Sequence, residues 1–143
     1  MDSKNFFIQT VSQFLRFLNN DYNFIGPIVE EKKEINFVNV YFFKKNLAIE
    51  LILDCRDEIF ECKISKLIDE RIPENYALDD KGMLVRQSLS QLLMFRGVRK
   101  NLHTKRSNLP FDKRIKIQLQ DYIKMLKEYG SDIPEDKLIS LGK

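Results

Sequence analysis

Apolar and polar side chains alternate between Ile35 and Leu67, and this period of two is typical of β-strands. In the central stretch every second residue is apolar: Leu47, Ile49, Leu51, Leu53 and Cys55. The flanking stretches repeat the pattern, with Val38, Val40 and Phe42 before it and Phe60, Cys62 and Ile64 after it. The pattern predicts three antiparallel strands with one buried face, around which the rest of the chain is arranged.

Two short hairpin turns are expected to set the register of this sheet. A turn at Lys45-Asn46 would pair Phe42 with Ile49, Val40 with Leu51 and Val38 with Leu53. A turn at Asp57-Glu58 would pair Cys55 with Phe60, Leu53 with Cys62 and Leu51 with Ile64. Because Asp-Glu is not a favoured two-residue turn, a longer, bulged loop is the alternative there.

Spacing of apolar and capping residues predicts further elements on both sides of the sheet. Residues 3–20 are expected to form a helix capped by Ser3, with the apolar stripe Phe7, Val11, Phe14, Leu15 and Leu18. A short strand over 28–31 is expected at a sheet edge, because Pro27 precedes it. Helices over 81–96 and 113–129 follow, the second capped by Asp112, and then a short helical piece over 135–141.

These elements predict a single α+β domain over residues 1–143. Its parts are an N-terminal helix, a three- to four-stranded antiparallel β-meander, two C-terminal helices and a short terminal helical piece. The composition, 43% apolar and 31% charged, is ordinary for a globular domain. Both cysteines lie on the predicted buried face, which favours reduced thiols. Because no signal peptide and no apolar run of membrane-spanning length are visible, a cytoplasmic location without membrane contact is expected.

The opposite face of the predicted sheet carries the candidate partner-binding residues Phe37, Tyr41, Phe43 and Ile52. Large exposed apolar patches are uncommon on monomeric proteins, so another segment could cover this face, or a strongly twisted sheet could be buried on both sides. The other interpretation is an aromatic face that binds a protein partner or a second copy of the chain.

A basic segment lies between Arg96 and Lys116, within an uneven distribution of charge. Residues 81–127 carry 12 basic and 2 acidic side chains, whereas residues 1–80 carry 10 and 15. Such a segment could contact a phosphate backbone or an acidic protein face, and the candidate residues are Arg99, Lys100, Lys105 and Arg106. It could instead be a solvated surface, and its loop has no aromatic side chains on which bases would stack. Nucleic-acid binding is therefore the alternative function.

The sequence has no pattern that indicates catalysis or metal binding. His103 is the sole histidine, and it lies in a polar, basic stretch without a neighbouring cysteine or carboxylate. The 5 glycines of the chain form no phosphate-binding loop. We therefore expect no enzyme activity, no catalytic residues, no metal site and no cofactor.

The hairpin sequence carries a family resemblance. Its stretches Lys45–Leu51 and Leu53–Ile64 include the motif Asp54-Cys55-Arg56-Asp57. They resemble a group of small, uncharacterised bacterial cytosolic proteins with a helix followed by a β-meander, some of them immunity- or inhibitor-type partners of toxins. The resemblance covers residues 35–67, and Glu58 stands where the group has glycine. It implies a non-catalytic binding role and transfers no functional residue.

Overall fold

The computed structural model describes residues 2–45, 47–67, 71–73, 86–89 and 109–129. In these ranges the helices are α1 (Ser3–Phe14), α2 (Arg16–Tyr22) and α3 (Phe111–Tyr129). The strands are β1 (Ile25–Lys32), β2 (Phe37–Lys44), β3 (Leu47–Asp54), β4 (Ile59–Lys66) and β5 (Arg86–Ser88). The α+β class, the N-terminal helix, the antiparallel sheet and a C-terminal helix are therefore confirmed. The predicted piece over 135–141 lies outside the described residues.

The strands form one antiparallel sheet in the order β1-β2-β3-β4-β5. The register between β2 and β3 is the predicted one, since Phe42 pairs with Ile49, Val40 with Leu51 and Val38 with Leu53. As predicted, β1 is an edge strand of this sheet, although it is longer than residues 28–31. The pairing of β1 with β2 is irregular between Ile25 and Ile28.

The predicted two-residue turn between β3 and β4 is wrong. Leu53 pairs with Phe60, Leu51 with Cys62 and Ile49 with Ile64, so the turn holds the four residues Cys55 to Glu58. The Asp54 carboxylate accepts hydrogen bonds from the backbone N–H of Arg56 at 3.0 Å and of Asp57 at 3.4 Å, which stabilises the longer turn. The register differs from the predicted one by two residues, and an even shift leaves every side chain on its predicted face.

The helix predicted over 81–96 is wrong at Arg86–Ser88, which form β5 and pair with β4. Residues 81–85 and 90–96 lie outside the described residues. The Arg86 guanidinium reaches across β4 to Glu50 on β3. Neither this long-range ion pair nor the backbone pairing with β4 can be read from the local spacing of apolar residues.

The N-terminal segment forms two helices where one is predicted over 3–20, with a break at Leu15. The cap of α1 is Asp2 rather than Ser3, because the Asp2 carboxylate accepts from the Asn5 N–H at 2.8 Å. Asn23 closes α2 in the left-handed conformation, with φ 61°. Asp112 lies in the first turn of α3, and the Pro110 carbonyl accepts from the Lys113 and Arg114 N–H groups.

The core lies between one face of the sheet and the helices α1 and α3. Phe7 of α1, Phe60 of β4 and Tyr122 of α3 are buried and meet edge to face, with ring centroids 5.5 and 5.8 Å apart. The face carrying Val40, Leu51 and Cys62 is therefore the inner face, as the alternation predicts. Within the described part of the chain, no helix is long and apolar enough to cross a membrane.

Candidate binding site on the outer sheet face

The outer face of the sheet, opposite α1 and α3, carries all four candidate partner-binding residues. Phe37, Tyr41, Phe43 and Ile52 alternate with buried inner-face residues, and each is half-buried. The structure brings Tyr41 and Phe43 together in one cleft, whereas Phe37 and Ile52 do not line it. Phe37 pairs instead with Lys32 and Asp54 at the far end of β2.

The centre of the outer face holds a buried polar cluster that the sequence analysis missed: Glu50, Arg86, Asn39 and Ser65. The Glu50 side chain is 0% exposed. Its carboxylate accepts from Arg86 Nε at 2.9 Å, Arg86 Nη2 at 2.7 Å, Asn39 Nδ2 at 2.8 Å and Ser65 Oγ at 3.3 Å. The sequence does carry one sign of this cluster, because Glu50 is the one charged residue within the apolar run from Leu47 to Leu53.

The hydrogen bonds of this cluster stabilise the buried Glu50 carboxylate rather than activate it for a reaction. A carboxylate offers about four lone-pair sites, and the four hydrogen bonds to Glu50 occupy them. The fork of Arg86 neutralises the carboxylate in a planar, two-bond arrangement. Within the described part of the chain, the Asn39 Oδ1 atom is the one buried side-chain polar atom without a hydrogen-bond partner. We conclude that Glu50 and Arg86 clasp β5 onto the sheet.

A cleft of about 710 Å³ opens beside this cluster. It is lined by Ile28, Glu30, Tyr41, Phe43, Lys45, Leu67, Arg71 and Ile72. The volume lies within the range of ligand-binding clefts, and aromatic and aliphatic side chains with a few polar groups are the usual lining of such sites. The cleft extends along the outer surface of β1 and β2 to the residues that follow β4.

Glu30 and Tyr41 form the polar wall of the cleft. The Tyr41 hydroxyl donates to Glu30 Oε1 at 3.2 Å, between neighbouring strands. Partial burial, the charge of Glu30 and this hydrogen bond raise the pKa of the Tyr41 phenol above its ordinary value. The phenol therefore stays protonated in neutral solution, and it keeps the Glu30 carboxylate in a fixed position.

The four nucleic-acid candidates, Arg99, Lys100, Lys105 and Arg106, lie outside the described residues, and so does His103. The described end of the basic segment belongs to α3, where its side chains contact the protein. Arg114 Nη2 donates to the Glu58 carbonyl at 2.8 Å, and its guanidinium lies 5.7 Å from the Phe111 ring centroid. Lys116 Nζ lies 5.8 Å from the Phe6 ring centroid.

The described residues contain no group of three or more histidine, cysteine, aspartate or glutamate side chains placed to hold a metal ion. Both thiols are free. Cys62 is buried on the inner face, and burial, followed by the charges of Glu50 and Glu61, raises the pKa of its thiol far above the ordinary value. Cys55 is half-buried, and burial also raises the pKa of its thiol. A thiol with a raised pKa is a poor nucleophile at neutral pH.

Comparisons of the chain with protein-family models, with curated proteins and with solved structures found no match. The family resemblance of residues 35–67 therefore stays a prediction.

Proposed function

We propose that this protein is a small, non-catalytic binding protein that holds a protein partner in the cleft on its outer sheet face. The observation that carries this proposal is the cleft itself, where Tyr41 and Phe43 lie between aliphatic side chains and a few charged groups. Aromatic residues are enriched in the cores of protein interfaces, and they contribute much of the binding energy there. A second copy of the chain is the other occupant that this surface would accept.

The polar cluster beside the cleft stabilises the sheet and supplies no reactive group to the cleft. A general base or nucleophile needs a free lone pair within reach of a substrate. The Glu50 carboxylate has its hydrogen-bonding capacity used by Arg86, Asn39 and Ser65, and it does not line the cleft. An immunity- or inhibitor-type role, which the family resemblance implies, is one form that such a binding protein takes, and a cytoplasmic location is the compartment we propose.

The proposal is tested by capturing partners from a lysate of the source cells with three tagged proteins. The first is the natural chain, and the second carries Tyr41→Ser and Phe43→Ser in the cleft. The third, a matched control, carries Ile35→Ser and Ile59→Ser, which also remove two apolar side chains, 52% and 59% exposed, that lie outside the cleft. Mass spectrometry identifies the captured proteins, and sedimentation velocity of each purified protein reports self-association.

We expect a specific protein, or the self-associated species, to be lost with the cleft variant and kept with the control variant. Circular dichroism and the thermal midpoint must show that all three proteins fold. The same capture by all three proteins would contradict the proposal. Unfolding of the cleft variant would also contradict it, because Tyr41 and Phe43 would then serve the core.

The alternative function, a nucleic-acid-associated protein, rests on the charge of residues 96–116 and stays a prediction. Binding to phosphates through Arg99, Lys100, Lys105 and Arg106 would weaken steeply with salt. Mobility-shift titrations with DNA and RNA at low and moderate salt test it, and the absence of any shift at low salt would end it.

A further inference from the structure

The solvent side of α3 carries a row of basic side chains. Five exposed residues recur at intervals of three or four, the spacing that places side chains on one side of an α-helix. These residues, the lysine row, are Lys113, Lys116, Gln120, Lys124 and Lys127. The opposite side of the helix is buried in the core, so the lysine row faces away from the sheet.

Neighbouring acidic side chains do not compensate the charge of the lysine row. Within the described part of the chain, none of its four lysines forms an ion pair, either with Asp112 and Asp121 of the same helix or with another element. The exposed side chains of the neighbouring helix α1 are the uncharged amides of Asn5, Gln9 and Gln13. The lysine row therefore presents four unpaired positive charges to the solvent.

Aromatic rings of the N-terminal helices hold two of these lysines in place. Lys116 Nζ lies 5.8 Å from the Phe6 ring centroid, and Lys127 Nζ lies 4.9 Å from the Phe17 ring centroid. A ring attracts an ammonium group through its quadrupole and does not neutralise the charge. These contacts therefore position one ammonium group near each end of the row and leave its charge available to an anion.

The lysines form two pairs, Lys113 with Lys116 and Lys124 with Lys127, and the neutral Gln120 lies between the pairs. At about 1.5 Å per residue, roughly 12 Å of helix axis separates Lys116 from Lys124. The major groove of B-DNA is also about 12 Å wide, and the phosphates of the two strands border it. The spacing of the two lysine pairs therefore matches the two phosphate strands of a DNA duplex.

The chemistry of the lysine row favours a nucleic acid over other anionic partners. Lysine is depleted in the cores of protein–protein interfaces, whereas protein–DNA interfaces are strongly positive. A helix that binds an anionic membrane also inserts its apolar side, and the apolar side of α3 is buried in the core. Contacts to phosphates carry no sequence information, so the expected binding is independent of DNA sequence.

We propose that the lysine row binds the phosphate backbone of duplex DNA, with one lysine pair on each strand that borders the major groove. The row belongs to the helical layer, whereas the cleft lies on the other side of the sheet, so this inference does not depend on the proposed function. It assigns the DNA contact to α3 rather than to Arg99, Lys100, Lys105 and Arg106.

The test measures the Kd of the full chain for a fluorescent duplex of about 20 base pairs by anisotropy, between about 50 and 200 mM salt. Two row variants each replace one lysine pair by glutamine, which removes the charge and keeps a helix-forming side chain. The matched control carries Lys32→Gln and Lys33→Gln, which remove two exposed charges at the end of β1. A fourth variant, Gln120→Lys, adds a charge to the row. Circular dichroism must show that all variants fold.

Four phosphate contacts predict a slope of log Kd against log salt of at least about 3.6, which weakens binding roughly 150-fold between about 50 and 200 mM salt. Each row variant should lower the slope by about 1.8, because each phosphate contact on B-DNA contributes about 0.9. The control should keep the slope of the natural chain, and Gln120→Lys should raise it by about 0.9.

The inference fails if no anisotropy change occurs at about 50 mM salt or if the row variants keep the slope of the control. Unchanged slopes in the row variants, with binding lost when Arg99, Lys100, Lys105 and Arg106 become glutamine, would move the contact to that segment. Equally tight binding to polyglutamate, or to vesicles containing phosphatidylserine, would instead assign the row to an acidic protein or a membrane. None of these outcomes changes partner capture by the cleft, so the two proposals fail separately.

Discussion

At the residue scale, the buried ion pair of Glu50 and Arg86 constrains the sheet. The pair crosses β4 and joins β3 to β5, and the Glu50 side chain is 0% exposed. Removal of one partner of a buried ion pair leaves a charge without compensation, whereas well-packed apolar residues can often replace the whole pair. The contribution of the Glu50–Arg86 ion pair to stability is therefore largest when only one of the two partners is removed.

The single substitutions Glu50→Leu and Arg86→Met should each lower the free energy of unfolding by about 3–5 kcal/mol. The double variant should lose less than the two single losses together, since neither charge is then left unpaired. Asn39 and Ser65 lose their acceptor in both Glu50 variants, so some loss persists. Urea denaturation of the four proteins gives the coupling free energy from a double-mutant cycle.

Glu61→Leu serves as the control, because Glu61 lies on the same outer face and is 49% exposed in its 3.5 Å ion pair with Lys63. Its loss should stay below about 1 kcal/mol, as for exposed ion pairs. Additive losses for Glu50→Leu and Arg86→Met would show that the two side chains act independently and that the clasp does not exist.

The thiol of Cys62 gives a prediction for pH. Its raised pKa means that the folded state keeps the proton above about pH 8.5, where the thiol of the unfolded chain loses it. The unfolded state then binds fewer protons, so the free energy of unfolding falls as the pH rises, by up to about 1.4 kcal/mol per pH unit. Below about pH 7 this group contributes almost no slope.

Cys62→Ala should reduce the slope between pH 8.5 and 10, whatever it does to the absolute stability. Tyrosines titrate near pH 10 in the unfolded chain, so Tyr122, whose pKa is also raised chiefly by burial, adds to the slope in the upper part of this window, and the Cys62→Ala protein keeps that contribution. Urea denaturation at several pH values checks the slope. Equal slopes for the natural chain and for Cys62→Ala would contradict burial of a protonated thiol.

At the element scale, the start of β1 depends on the absence of a side chain at Gly26. Its φ is +138°, a conformation that L-residues rarely adopt. A Cβ atom there would lie 2.8 Å from the Tyr41 carbonyl oxygen and 3.1 Å from Phe42 Cδ2. The close approach fixes β1 against β2 at the position from which Tyr41 and Phe43 enter the cleft.

Gly26→Ala should therefore lower the free energy of unfolding by about 1–3 kcal/mol, from backbone strain alone. Asn36→Gly is the control. Asn36 also has a positive φ, 58°, and glycine adopts that conformation without strain, so this substitution adds no backbone strain. Thermal or urea unfolding of both variants measures the difference. A Gly26→Ala protein as stable as the natural chain would contradict this close approach of β1 to β2.

The turn between β3 and β4 shows how an element can be predicted on the right face but in the wrong register. Alternation fixes which side chains are buried, and the observed four-residue turn keeps that alternation. The length of the turn depends on contacts from distant helices as well as on its own residues. Ser3 of α1 donates to the Glu58 carboxylate, and Arg114 of α3 donates to the Glu58 carbonyl.

At the scale of the whole molecule, the two faces of the sheet differ in what they contact. Helices α1 and α3 cover the inner face, and the aromatic contacts of Phe7, Phe60 and Tyr122 join the two layers. The outer face combines a buried polar cluster with a cleft of about 710 Å³. This division separates the residues that stabilise the fold from those proposed to bind a partner.

The sequence by itself determined the strands β2, β3 and β4, the register between β2 and β3 and the identity of the inner face. It also placed Tyr41 and Phe43 on the outer face. These features depend on the alternation of neighbouring side chains and on turn residues, which are local properties of the chain. The same local logic predicted the terminal helix α3, since its apolar residues recur at helical spacing.

Only the tertiary structure decided the position of β5, the clasp between Glu50 and Arg86 and the cleft. Glu50 and Arg86 are 36 residues apart, and helical spacing around Arg86 predicted the wrong element. The cleft joins Glu30 and Tyr41 to Arg71 and Ile72, which are remote in the chain. Contacts of this kind depend on how whole strands are placed against each other, and no pattern among neighbouring residues encodes that placement.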